Sequence, residues 1–134
     1  MKGKGNMELR FYRCEVCGQI IAIVNKTSAE VYCCGEPMAE IIPNTVDAAH
    51  EKHVPVCSVH GNTVEITVGS TEHPMTKEHH IEWIAIRTKT GNQRKVLSPG
   101  CEPKACFALC EGDEIVAAYA YCNLHGLWKG CTDG

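Results

Sequence analysis

The sequence predicts a mainly β protein in two parts, a small module stapled by four cysteines and then an antiparallel β-sandwich. Three observations carry this. Four of the ten cysteines lie close together between Cys14 and Cys34. From Val54 onward, short runs rich in β-branched and aromatic residues alternate with turn signals. The length, 134 residues, suits one core of ~100 residues plus a small appendage.

Composition removes several function classes. A hydrophobic content of 44% and a charged content of 22% are those of an ordinary soluble globular protein. The apolar runs are too short to cross a bilayer, so no membrane partner is expected. Residues Met1 to Asn6 are basic but lead into no apolar stretch, and they read as a frayed tail rather than a signal peptide. A formal net charge of −3, without a basic cluster interleaved with aromatics, argues against a nucleic-acid partner. Ten cysteines beside seven histidines read as metal binding in a reducing cytoplasm rather than extracellular disulfides.

In chain order, Leu9 to Arg13 reads as a strand running into Cys14-Glu15-Val16-Cys17-Gly18, where Gly18 frees the backbone for a metal knuckle. Ile20 to Val24 reads as a second strand, and Val31-Tyr32 leads into Cys33-Cys34-Gly35. Four thiolates on so short a segment suit a tetrahedral Zn or Fe site, and a fold this small needs such a staple. Adjacent cysteines leave a strand in opposite directions, so both can ligate only if the chain kinks there. Pro37 to Asn44 reads as a linker, with Ile41-Ile42 packing locally. Thr45 to Ala49 reads as one helical turn before Glu51. The sandwich strands are then 54–56, 64–68, 81–86, 106–109 and 115–121, punctuated by Gly61-Asn62, Thr90-Gly91-Asn92, Pro99-Gly100 and Glu111-Gly112-Asp113.

Cys122-x-x-His125 follows the last of these strands. Alone it is a weak signal, but His53, His73 and His79 lie upstream. Four imidazoles and one thiolate can meet at a single divalent ion and leave one position open, which separates a catalytic metal from a structural one. Imidazole suits Fe, Zn, Cu and Ni alike, so ligand type does not name the metal. A thiolate opposite the open position would push electron density towards whatever binds there.

At this point the residues match a family pattern. Cys14, Cys17, Cys33 and Cys34, Asn44 to Ala49, Glu51-Lys52-His53-Val54-Pro55, His73-Pro74-Met75, His79, Ile81-Glu82-Trp83-Ile84 and Cys122-Asn123-Leu124-His125-Gly126 resemble desulfoferrodoxin, the two-iron superoxide reductase family. The resemblance covers nearly the whole chain after its first eight residues. It implies a desulforedoxin-like iron domain over residues 1–42 and an immunoglobulin-like sandwich with the catalytic iron over 43–134. Two iron ions per chain are implied. One would be held by Cys14, Cys17, Cys33 and Cys34, the other by His53, His73, His79 and His125 in a plane with Cys122 on the axis. The implied reaction is one-electron reduction of superoxide to hydrogen peroxide without release of dioxygen. The implied partners are a rubredoxin-like electron donor and a second copy in a homodimer.

Lys52, beside His53, would add to a local positive focus for an anionic substrate and stands as a proton source. The resemblance implies that Glu51 reaches the open position after oxidation. Without it, both read as a solvated surface pair. Of the remaining histidines, His80 should face away from His79 by strand alternation, and His60 reads as a turn residue. His50 is a substitute ligand on helical spacing alone. Trp83 and Trp128 read as core or site wall. Cys57 and Cys106 read as small buried apolar residues, while Cys101, Cys106 and Cys110 match no trusted ligand spacing. Cys131 has no role in either motif. Two rival readings are an electron carrier working through the four-cysteine centre and a colourless zinc-stapled interaction domain.

Overall fold

The structure, a computed structural model, describes residues 8–46, 48–69 and 73–131. The basic tail therefore lies outside the described residues. The chain divides into two compact units, Met1–Ile42 and Pro43–Gly134.

In the first unit, β1 (Arg10–Arg13) is the centre of a three-stranded antiparallel sheet, flanked by β2 (Ile20–Ile23) and β5 (Ala39–Glu40). Between them β3 (Tyr32–Cys33) and β4 (Glu36–Pro37) form a hairpin. The segment expected to be a linker is thus structured. Met38 is buried, and Ala39 and Glu40 pair with Arg13 and Tyr12, because β1 would otherwise present an unpaired edge. The kink required between the adjacent cysteines is present: Cys34 and Gly35 are both left-handed, at φ 55° and 78°. That is the backbone of a two-residue hairpin turn with positive φ at both central positions.

The second unit is a sandwich of a three-stranded and a four-stranded antiparallel sheet. The first runs β10 (Lys104–Ala108), β7 (Thr63–Val68), β6 (Pro55–His60). The second runs β12 (Gly126–Gly130), β11 (Ile115–Cys122), β8 (Ile81–Thr88), β9 (Asn92–Val96). Period-two alternation sends Val64, Ile66 and Val68 inward from β7 and Ala105 and Phe107 from β10. They meet Ile84, Ile86, Ala118 and Ala120 of the facing sheet in one core, which also takes in Cys122. Each of the Val, Ile and Phe side chains among them, fully buried, contributes about 1.5–3 kcal/mol.

Two devices close the sandwich. Along one edge, Gln93 Nε2 and Lys95 Nζ of β9 donate to the Ala108 and Cys106 carbonyls of β10. At the other edge β12 comes so close to β6 that a Cβ on Gly130 would lie 2.4 Å from the Pro55 carbonyl oxygen. Beside that contact a disulfide joins Cys57 to Cys131, with Cα atoms 5.8 Å apart. Cys57 is therefore a covalent cross-link rather than a free buried thiol. Cys106 is not buried either: register puts it on the outward side of β10, opposite Glu65, and it is exposed.

Other expectations also shift. The helical turn is α1 (His50–His53), not 45–49. Thr45 and Val46 are β-branched and stay non-helical, Asp47 lies outside the described residues, and Ala49 is extended at the N-cap. His60 is the last residue of β6, paired with Thr63, rather than a turn residue. Asn92 begins β9, a strand the sequence reading missed along with β12.

Candidate metal centres

The four thiols of the first unit have their Sγ atoms within 4.8 Å of one another. Cys17 and Cys33 sulfurs are 3.8 Å apart, and those of Cys33 and Cys34 are 4.0 Å apart. A tetrahedron of sulfurs at about 2.3 Å from one ion has edges of about 3.8 Å, so the cluster is already sized for a metal. Gly18 (φ 86°) donates its N–H to the Cys14 carbonyl at 2.9 Å and closes the knuckle. The Cys17 amide, donating to Cys14 Sγ, holds that thiol down at about 6. Cys33, sharing protons with the Cys14 and Cys17 sulfurs, is pushed up to about 12, and Cys34 is also raised. Four such thiols cannot all ionise side by side without a cation among them.

The second cluster is assembled from the ends of elements in the sandwich. α1 supplies His53, whose Nδ1 bonds the Ala49 carbonyl at 2.7 Å and so turns Nε2 inward. His73 is likewise oriented, Nδ1 to the Pro74 carbonyl at 2.6 Å. His79 sits in a turn closed by Thr76, which bonds its backbone N–H and carbonyl. Cys122 ends β11, and four residues later Gly126 (φ 78°) starts β12 directly opposite it. That short connection sets His125 Nδ1 3.9 Å from Cys122 Sγ and 3.2 Å from His53 Nε2. Ligating atoms of His53, His79, Cys122 and His125 all lie within 4.8 Å of one another. His73 adjoins them, its ring centroid 4.7 Å from those of both His53 and His79.

Electrostatics prepare these groups as ligands. Burial lowers His53 and His79 and takes His73 down to about 4, so all three are neutral at pH 7. Burial pushes the Cys122 thiol up, against the Leu124 and His125 amides that pull it down. Nε2 of His73 and Nε2 of His79 are buried without any hydrogen-bond partner. Buried polar atoms are normally satisfied, and two inward-facing imidazole nitrogens left over beside a thiol and two further imidazoles fit a metal ion.

Neighbouring residues frame the cluster. Trp128 stacks on the His53 ring at 4.9 Å and donates Nε1–H to the His125 carbonyl at 3.0 Å, a wall role that sequence alone left open. His50 packs edge-on against Trp128 at 5.2 Å and belongs to neither cluster. His80 precedes β8, so strand alternation does not govern it, yet it too stands outside the cluster. Trp83 stacks with Tyr121. Glu51 and Lys52 are exposed on α1, and the Lys52 charge reaches both His53 and His79, lowering each. Cys101, Cys106 and Cys110 join no metal-binding group among the described residues.

Comparison with known proteins agrees with this architecture. The desulfoferrodoxin N-terminal domain model matches residues 6–41, and the desulfoferrodoxin model matches 45–131. A desulfoferrodoxin of Syntrophotalea carbinolica is 45% identical over 91% of this chain and 95% of its own. A desulfoferrodoxin homolog of Archaeoglobus fulgidus is 45% identical over 90% and 95%. Among solved structures, the superoxide reductase from Treponema pallidum is 41% identical, covers 92% of this chain and 98% of its own, and superposes with a TM-score of 0.78. Two metal-binding clusters on two units, each matched by its own family model, leave one conclusion: the chain belongs to the desulfoferrodoxin family.

Proposed function

We propose that the chain is a superoxide reductase that converts superoxide, one electron and two protons into hydrogen peroxide. The observation that carries this reading is the pair of buried, unpartnered Nε2 atoms on His73 and His79 beside His53, Cys122 and His125. Neither a four-cysteine electron carrier nor a zinc-stapled interaction domain explains why the fold would bury those nitrogens unsatisfied. In this reading His53, His73, His79, Cys122 and His125 hold the catalytic iron, and Cys14, Cys17, Cys33 and Cys34 hold the second. Iron at the His/Cys site would supply the electron and a Lewis-acidic centre.

The chain's own residues do the rest. The Leu124 and His125 amides favour the Cys122 thiolate, and a charged sulfur in a buried site raises the reducing power of what it binds. Main-chain carbonyls of Ala49 and Pro74 fix the tautomers of His53 and His73, keeping Nε2 free to ligate. Lys52, exposed on α1, attracts the anion and delivers protons directly or through water. Glu51, on the same turn, is the candidate to cover the open face after turnover. Residues 1–42 and 43–134 act as separate iron and catalytic domains. A rubredoxin-like donor, a homodimer and a cytoplasmic location complete the proposal. Eight free cysteines support the last of these, with Cys57–Cys131 as the exception.

The test is stoichiometry under pulsed superoxide. Reduced protein should form one peroxide per superoxide consumed and no dioxygen. Dioxygen at half the superoxide consumed would mean dismutation and would overturn the proposal.

A further inference from the structure

The β8–β11 ladder stops where the metal cluster begins. Its last pair is Cys122 with Ile81, after a register shift between Tyr121 and Cys122. One residue further on, Asn123 continues the pairing by other means. Its N–H donates to the His80 carbonyl at 3.2 Å. Its Oδ1 accepts from the His80 N–H at 2.9 Å, and its Nδ2 donates to the Glu78 carbonyl at 2.9 Å. One residue therefore binds the main chain on both sides of His79 while being covalently joined to Cys122.

His79 needs this more than its neighbours do. His53 and His73 have ring nitrogens fixed to carbonyl oxygens. Among the described residues, the hydrogen bonds of His79 are those of its backbone to Thr76, in the same short turn. Those bonds close the turn on itself, but its hydrogen bonds to the Cys122 strand run through Asn123. We propose that Asn123 is a positioning residue of the metal centre, holding His79 at a fixed place relative to Cys122 by gripping Glu78 and His80. The inference rests on the reading of His79 and Cys122 as ligands of one ion.

The experiment is anaerobic titration with ferrous iron against a competing chelator, using the four-cysteine absorbance as an internal reference. Asn123→Ala should weaken iron binding at the His/Cys site about 10- to 100-fold, the range for lost outer partners of metal ligands. It should also shift the thiolate colour of the oxidised protein. Asn123→Asp keeps the acceptor for His80 and loses the donor to Glu78, so its affinity should fall in between. Asn44→Ala is the matched control. Its side chain makes a similar pair of bonds to Lys129, at 2.8 and 3.1 Å, but brackets no ligand, so iron affinity should stay within about twofold of the parent. If Asn123→Ala binds iron as tightly as the parent, or Asn44→Ala loses as much, the inference is overturned. If the parent takes up no iron beyond the four-cysteine site, the functional reading fails and this inference falls with it.

Discussion

The Cys57–Cys131 cross-link offers the sharpest stability prediction. The two cysteines are 74 residues apart in sequence, and both lie in the unit Pro43–Gly134. Closing a loop of that length in the unfolded chain removes entropy worth about 4.5 kcal/mol at 25 °C in the chain-entropy model. Residual structure in the unfolded state makes this an upper figure. A domain of this size loses about 4–8 °C in Tm per kcal/mol, so Cys57→Ser/Cys131→Ser should melt roughly 10–30 °C below the parent. Both residues are replaced together so that no orphan thiol remains to mispair.

The assay has two halves. Metal-stripped, denatured parent should take up eight alkylating groups without reductant and ten with it, since ten cysteines are present and one pair is bonded. Thermal unfolding of parent and double variant then gives the stability difference. Ten groups taken up without reductant would mean the bond is absent. Eight groups with melting points within about 2 °C would mean the unfolded chain gains little freedom when it is cut, and the entropy argument would fail.

Three further outcomes are expected. Cys122→Ser should abolish the thiolate-derived colour of the oxidised His/Cys centre while leaving the four-cysteine absorbance intact; unchanged spectra remove Cys122 from the site. Lys52→Ala should slow association with superoxide about tenfold at low salt and flatten its salt dependence, and stopped-flow or pulse radiolysis at two ionic strengths checks both. Gly130→Ala forces a Cβ to within 2.4 Å of the Pro55 carbonyl oxygen, so β12 must move off β6 at a cost of about 1–3 kcal/mol in a denaturant titration.

Much of the fold was legible because burial leaves a period in the sequence. Val64, Ile66 and Val68 alternate, and Ile81 to Ile86 form a short run whose β-branched and aromatic content fits a buried strand. β9 was not legible: Asn92-Gln93-Arg94-Lys95-Val96 is an edge strand whose side chains are mostly exposed, so it carries no alternation. β12 was hidden for another reason, since it is bounded by two glycines that serve a tight turn and a close approach. The motifs that come together in the two clusters could be read from residue type and spacing. The contacts that orient them could not, because Trp128 on His53 and Asn123 around His79 span gaps in sequence that no local pattern records. The cysteines outside the motifs misled for a similar reason. Whether a thiol is buried, exposed or cross-linked depends on register, and Cys57 meets Cys131 only because two sheets converge at Gly130.

A formal charge of −3 should repel a superoxide anion, yet the reading requires the anion to be drawn in. Distance resolves this. Charges farther than about 8 Å from the approach path are largely screened at physiological ionic strength, so the net charge of the whole surface counts for little at one mouth. What counts is the charge adjoining the opening. Lys52 is close enough to lower both His53 and His79, the latter carried on a separate loop, and therefore adjoins the cluster rather than merely the helix that bears it. Glu51, its neighbour in sequence, acts on His53 in the opposite sense. In the proposed reading, Lys52 and Glu51, adjacent on one four-residue helix, are thus the charges that govern the approach.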